Sequence, residues 1–297
     1  MDDSFNKVFI GSGLVAELFL HALIYHKGES PEDFYVIGKR AERCRELMQK
    51  YKIRANTNPD MFISKAKVVV LAVDIDCLQD IPDLVASIRD KVPPNALINS
   101  ITPHLKIAEI EKYFPNHPVL RLGLNLSVIS GAGVGTFCCG SVDKEDTRSL
   151  AQFLVGCFGE VIEVDTEENF ERIWNLIFAS SCGNYLSFNC QIDAMLKMGL
   201  NPALAKKIVV NVYKGTAETF DKKFDDDILK NAFDYTGIFE SGLKIQENLG
   251  IIAEIDRATH TNPLELQKNL EANLEKIRNA VKISENEKVA VHYKYWS

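Results

Sequence analysis

The sequence predicts an α/β protein: a doubly wound parallel sheet over residues 1–160, followed by an all-α second domain over residues 161–297. Three observations carry this. Short apolar, β-rich runs recur through the first half with helical stretches between them, the alternation of a sheet covered by helices. Runs such as KVVVLAV at 67–73 show no polar alternation, so both faces of the strands are expected to be covered. After Asp165 the strand signals nearly vanish, and helical periodicity continues to about Lys282. The length of 297 residues suits two domains at about 150 residues each.

Strands are expected at 7–11, 34–38, 67–73, 96–101, 119–124, about 134–139 and 161–165. The first runs through two glycines directly into a helical pattern. In the second half, NPALAKKIVVNVYKGTAETF begins with Asn201 as a helix cap and Pro202 at the first helical position, where its missing N–H is no loss. Asn262 and Pro263 repeat that device before a helix whose Leu266, Leu270, Leu274, Ile277 and Val281 form one apolar stripe. The stripe faces either its own domain or a partner subunit. The final KVAVHYKYWS reads as an edge strand or as a loose tail.

Composition excludes several classes. Hydrophobic residues are 46 % and charged residues 25 %, an ordinary globular balance, and no segment reaches the ~18 apolar residues of a membrane span. The start of the chain leaves no room for a signal peptide before the strand at Lys7, so a cytoplasmic location is the expectation. A formal charge of -7 opposes nonspecific attraction to a phosphate backbone, and nucleic acid is not an expected partner. The seven cysteines (44, 77, 138, 139, 157, 182 and 190) include no pair at zinc-finger spacing, and read as buried, reduced thiols. The six histidines are isolated from one another and form no HExxH, so no metal site is expected.

The glycines carry the first chemical signal. GSGLVA (Gly11, Ser12, Gly13, Leu14, Val15, Ala16) fits GxGxxG/A between a strand and a helix. There the first glycine permits a tight turn and the second lets backbone N–H groups approach a pyrophosphate. The small Ala16 allows close packing of helix on strand. The helix N-terminus favours the phosphate charge. The motif points to a Rossmann-type dinucleotide site, against the alternative of a tight structural turn. The end of the second strand chooses the nucleotide. A fold selective for NAD would place Asp or Glu there to accept from the ribose hydroxyls, whereas this strand runs into VIGKRAER. Lys39 and Arg40 would give a 2′-phosphate charge-assisted hydrogen bonds of roughly 1.5–3 kcal/mol each. NADP(H) is therefore expected over NAD(H); the alternative is a solvated basic turn.

In order and spacing, VFIGSGLVAELFLHALI, NTNPDMFISKAKVVVLAV, INSI, VLRLGLNLSVISGAGVGTF and FGEVIEV resemble the pyrroline-5-carboxylate reductases. ASSCGNYLSFNCQIDAMLKMGL is similar to the stretch around the family's SGSGPAY motif, and TGIFESGLKIQENLG to that around SPGGTT. The resemblance covers roughly residues 7–260. It implies an NADPH-dependent reduction of a cyclic imine carboxylate to proline, by a homo-oligomer assembled through the helical domain. It places Gly11 to Ala16 on the pyrophosphate, Lys39 and Arg40 beside the 2′-phosphate and Asn58 near the adenosine. Ala72, Val73 and Asn125 would line the nicotinamide side.

The substrate motifs depart from the family. Its AVKPQ reads AVDID here, with Asp74 for lysine; MPNTP reads GLNLS, keeping Asn125; SGSGPAY reads ASSCGNY, keeping Ser181 and Tyr185. SPGGTT, whose hydroxyls and amides hold the substrate carboxylate, reads DYTGIF or YTGIFE, and neither register keeps the threonine pair. Imine reduction needs a hydride on carbon, a proton on nitrogen and donors for the carboxylate. Tyr235, Thr236, the N–H of Gly237, Ser180 and Ser181 are the candidate donors, with Glu240 as a general acid if burial raises its carboxyl pKa. Each of these polar residues also suits a helix-cap or interface role.

The leading expectation is an NADPH-dependent reductase of a small imine or carbonyl compound, with pyrroline-5-carboxylate the first to try and a different substrate open. A second reading is a sensor or scaffold that binds NADP(H) without turnover. A third, a β-hydroxyacid dehydrogenase, needs a catalytic lysine that FASSCGNYLSFN lacks.

Overall fold

A computed structural model describes residues 6–73, 79–103 and 105–221. The first unit, up to Phe178, is built on one eight-stranded sheet. In chain order it comprises β1 (Lys7–Ile10), α1 (Leu14–Tyr25), β2 (Phe34–Ile37), α2 (Ala41–Tyr51), β3 (Arg54–Asn56), β4 (Val68–Leu71), α3 (Ile81–Ile88), β5 (Leu97–Ser100), α4 (Ile107–Tyr113), β6 (Val119–Leu124), β7 (Gly133–Cys139), α5 (Lys144–Val155) and β8 (Gly159–Glu163). Two long helices follow, α6 (Glu167–Lys197) and α7 (Pro202–Asp221).

The strand order is β3-β2-β1-β4-β5-β6-β7-β8, and the first six strands are parallel. The chain winds outward from β1 in one direction through β2 and β3, then in the other through β4, β5 and β6, which is the doubly wound Rossmann arrangement. Between β1 and β4 the order reverses, and a ligand crevice opens at the carboxyl ends of strands at such a point. Every residue of β1, β2 and β4 is buried. Successive side chains serve opposite layers: Phe9 joins Phe19, Phe34, Val70 and Phe158 on one face, while Val8 and Ile10 join Tyr35, Val69, Ile88 and Phe114 on the other.

All seven expected strands are present within about two residues of their expected bounds; the chain adds β3, a three-residue edge strand. The sheet is not wholly parallel. β7 runs antiparallel to β6, and β8 runs parallel to β7.

The division between units falls at 178/179, inside α6, and not near residue 160. The reason is packing. β8 is the eighth strand of the sheet, and Phe170 and Trp174 of α6 cluster with Cys138 of β7 and Val164. In the second unit, as far as it is described, Ile192 of α6 packs with Ala205 and Val209 of α7, and Phe188 stacks on Tyr213 at 3.9 Å. Asn201 caps α7 as expected, its Oδ1 accepting from the Leu204 N–H at 2.9 Å. The proline-initiated helix after Asn262, its apolar stripe and the terminal KVAVHYKYWS lie outside the described residues. None of the six described cysteines is in a disulfide; Cys44, Cys138 and Cys157 are buried, whereas Cys139, Cys182 and Cys190 are only half-buried. Among the described residues, no helix is long and apolar enough to cross a membrane, and no cluster of three potential metal ligands forms.

Candidate functional site

At the carboxyl end of β1 the chain turns sharply. Gly11 has φ +121°, a conformation that L side chains avoid, and its N–H donates to the Ile37 carbonyl at 2.8 Å. A Cβ there would sit 2.1 Å from the Ala72 carbonyl oxygen, so the turn is pressed onto the chain leaving β4 and admits only glycine. Gly13, the N-cap of α1, is the opposite case. A Cβ on it would meet no atom within 4 Å. The space beside it is open, and the bare backbone borders it. Ala16 is buried against the sheet, while Leu14 and Val15 are exposed at the start of α1. The first N–H groups of α1 receive no side-chain cap, and the helix dipole adds partial positive charge at this end.

A cleft of about 320 Å³ opens here, lined by Ser12, Gly13, Leu14, Arg40, Glu42, Arg43 and Glu46. Arg40 is exposed at the N-cap of α2; its carbonyl accepts from the Cys44 N–H at 3.1 Å, while its guanidinium makes no hydrogen bond or ion pair to the described residues. Lys39 is not among the lining residues; it pairs with Asp80 at the N-terminus of α3, both side chains being exposed. The two expected cations thus separate, one free at the cleft and one held by a carboxylate.

Arg43 and Glu17 are site residues the sequence reading did not identify. Arg43 donates from Nε to the Ser12 carbonyl at 3.1 Å, from Nη1 to Glu46 at 2.9 Å and from Nη2 to Glu17. Glu17 also accepts from Lys50 at 2.8 Å and from the Tyr51 hydroxyl at 3.0 Å. Burial pushes the Glu17 carboxyl up, but the hydrogen bonds from Lys50, Arg43 and Tyr51 outweigh it and hold the group below its ordinary pKa. The available signal was the spacing of Arg40 and Arg43, three residues apart on one helical face.

Further along the same sheet edge, Ala72 closes the β4 end by donating its N–H to the Ile10 carbonyl at 2.8 Å. Thr102, fully buried after β5, accepts from the Val73 N–H at 3.0 Å and donates to the Leu71 carbonyl at 3.1 Å, fixing the backbone at Val73. Asn125 follows β6, nearly buried, with its Oδ1 accepting from the Val134 N–H at 3.3 Å. Asn58 is exposed and caps a short 3-10 turn through the Asp60 N–H at 2.9 Å. The structure brings Gly11, Ser12, Gly13, Leu14, Ala72 and Arg40 to the β1 turn and its cleft. Ser181 lies half-buried on α6 in the second unit. Tyr235, Thr236 and Glu240 lie outside the described residues.

No protein-family model matches the chain. Among curated proteins, it is 25 % identical over 265 residues to a pyrroline-5-carboxylate reductase from Synechocystis sp., covering 87 % of this chain and 97 % of that one. It is 27 % identical over 220 residues to pyrroline-5-carboxylate reductase 1 of Bacillus subtilis, covering 73 % and 72 %. Among solved structures, it superposes on the Plasmodium falciparum pyrroline carboxylate reductase with NADP bound at a TM-score of 0.73 and 18 % identity, covering 93 % of this chain and 98 % of that one. The Coxiella burnetii pyrroline-5-carboxylate reductase gives a TM-score of 0.65 at 20 % identity, with 92 % and 98 % covered. From the agreement of sequence over most of its length with the fold built around its glycine turn, the chain is a divergent relative of the pyrroline-5-carboxylate reductases.

Proposed function

We propose that the protein is an NADPH-dependent reductase of a small cyclic imine, with pyrroline-5-carboxylate as the first substrate to test. The observation that carries the reading is the pair of unlike glycines: Gly11 locked against Ala72, and Gly13 bordering open space at the start of α1. Bare backbone facing an unfilled space at a helix N-terminus suits a diphosphate. When bound, the nicotinamide cofactor supplies the hydride. The chain's own tasks are binding, orientation and proton delivery. The turn at Gly11 to Gly13 and the first amides of α1 neutralise the diphosphate. The Arg40 guanidinium, which pairs with none of the described residues at the cleft, favours a 2′-phosphate, which supports NADPH over NADH. Thr102 keeps the Val73 backbone in place on the nicotinamide side. Tyr235, Thr236 and Ser181 would hold the substrate carboxylate, and Glu240 would protonate the imine nitrogen. Assembly is a homo-oligomer through the helical domain.

The test is to mix purified protein with NADPH and a panel of cyclic imines including pyrroline-5-carboxylate, and to follow the loss of NADPH absorbance. Steady turnover with at least one imine is expected. Tight NADPH binding with no turnover on any of them would instead identify a dinucleotide-binding protein that performs no reduction.

A further inference from the structure

We infer that Arg43 is a positioning residue for the diphosphate arm of the dinucleotide, acting through the Ser12–Gly13 peptide and not by contact with the 2′-phosphate; the inference rests on the dinucleotide reading above. The guanidinium is committed to three elements at once: the Ser12 carbonyl in the glycine turn, Glu46 on its own helix α2, and Glu17 on the first turn of α1. Two carboxylates already face its single charge, so it has little charge left for a third anion. Its remaining effect is geometric. In a trans peptide the carbonyl and the following N–H are fixed relative to each other, so one hydrogen bond to the Ser12 oxygen also sets the direction of the Gly13 N–H. Glycine on the C-terminal side of that peptide would otherwise leave the plane free to rotate.

Through Glu17 the same side chain ties α1 to α2, and Lys50 and Tyr51 brace that carboxylate from the far end of α2. The turn and the helix start that together receive the diphosphate are therefore held by one fork. Arg40, three residues earlier and with its guanidinium paired to none of the described residues, is left as the group that distinguishes the phosphorylated cofactor. The two arginines of the cleft divide the work: one reads charge, the other holds shape.

Dissociation constants for NADPH, NADH and 2′,5′-ADP, which carries the 2′-phosphate without the diphosphate bridge, test this division. Each is measured by fluorescence titration of wild type, Arg43→Gln, Arg43→Lys and Arg40→Gln, with circular dichroism confirming the fold at the working temperature. Both Arg43 variants are expected to weaken NADPH and NADH by the same factor, about tenfold for a lost charge-assisted bond, with the ratio and the 2′,5′-ADP affinity kept. Arg40→Gln is expected to lower the ratio. A fall in the ratio for the Arg43 variants would make Arg43 a direct phosphate ligand and overturn the inference, as would folded Arg43 variants with unchanged affinities. If Arg43→Gln does not fold, Arg43→Lys decides, since it keeps the charge but not the planar fork. A wild-type protein that binds neither dinucleotide would instead remove the underlying reading, and the inference with it.

Discussion

At Gly11 and Gly13 one residue type performs two tasks, and substitution separates them. Gly11→Ala places a methyl group against the Ala72 carbonyl in a backbone conformation that costs an L residue about 1–3 kcal/mol before the clash is counted. A loss of at least about 2 kcal/mol in denaturant unfolding is expected. Gly13→Ala meets no neighbour, and alanine at an N-cap costs about 1 kcal/mol or less relative to glycine. That variant is expected to fold and yet to bind NADPH more weakly in fluorescence titration. The motif spelled out both glycines in the sequence, but only the position of Ala72, some sixty residues away in the chain, distinguishes them. The basic corner shows the same limit. Arg40→Ala is expected to reduce the preference for NADPH over NADH by about tenfold or more, and Lys39→Ala by less. The Lys39–Asp80 pair is exposed, worth at most about 1 kcal/mol, and must open before Lys39 can serve a phosphate. The sequence displays two adjacent cations; the partner of one of them comes from another helix and could not be read locally.

Strands and helices were the most legible features, because a buried parallel sheet writes continuous apolar runs into its sequence. β3 escaped notice because only Ala55 of its three residues is buried. The reversal of β7 left no mark either, since a covered apolar strand reads alike in both directions. The attachment of α6 to the sheet was also hidden, and its origin is electrostatic as well as apolar. Arg121 on β6 is fully buried and reaches Glu167 at 2.7 Å and Glu171 at 2.6 Å, both on the first two turns of α6, with its guanidinium over the Phe170 ring. In the sequence it stands as a lone arginine inside VLRLGL, with its carboxylates some fifty residues later. Arg121→Ala would leave those carboxylates without their cation and is expected to cost about 3 kcal/mol or more in urea unfolding. A triple variant that also makes Glu167 and Glu171 glutamine is expected to recover part of that loss.

For the whole molecule, the strands around the glycine turn were readable in the sequence, whereas the proposed substrate site rests on Tyr235, Thr236 and Glu240, which the sequence alone supports. Acid stability is a property of the described half. The Glu17 carboxyl has a folded-state pKa below its ordinary value, so the stability it contributes is complete above that ordinary value and is lost as pH falls through the lower one. Thermal melts at a series of acidic pH values are expected to show wild type losing stability across that window, with Glu17→Gln losing less. Two of the thiols move the other way. Burial pushes Cys157 up to about 12 and Cys182 up to about 11, so neither is a thiolate at neutral pH, and slow alkylation by iodoacetamide in the native state is expected.

The sheet ends on β8, which has no described strand on its outer side. Its residues Glu160 and Glu163 are exposed, and Arg148 donates from Nε to both oxygens of Glu163 at 2.8 Å. An unpaired margin of this kind would ordinarily invite another chain to add itself rung by rung, and carboxylates spaced along it make such stacking repulsive. The opposite margin, β3, is too short to template anything. Replacing Glu160 and Glu163 with valine is expected to leave the dinucleotide cleft untouched while light scattering rises with time and concentration. A rise of that kind would identify the two acids as guards against edge-to-edge association.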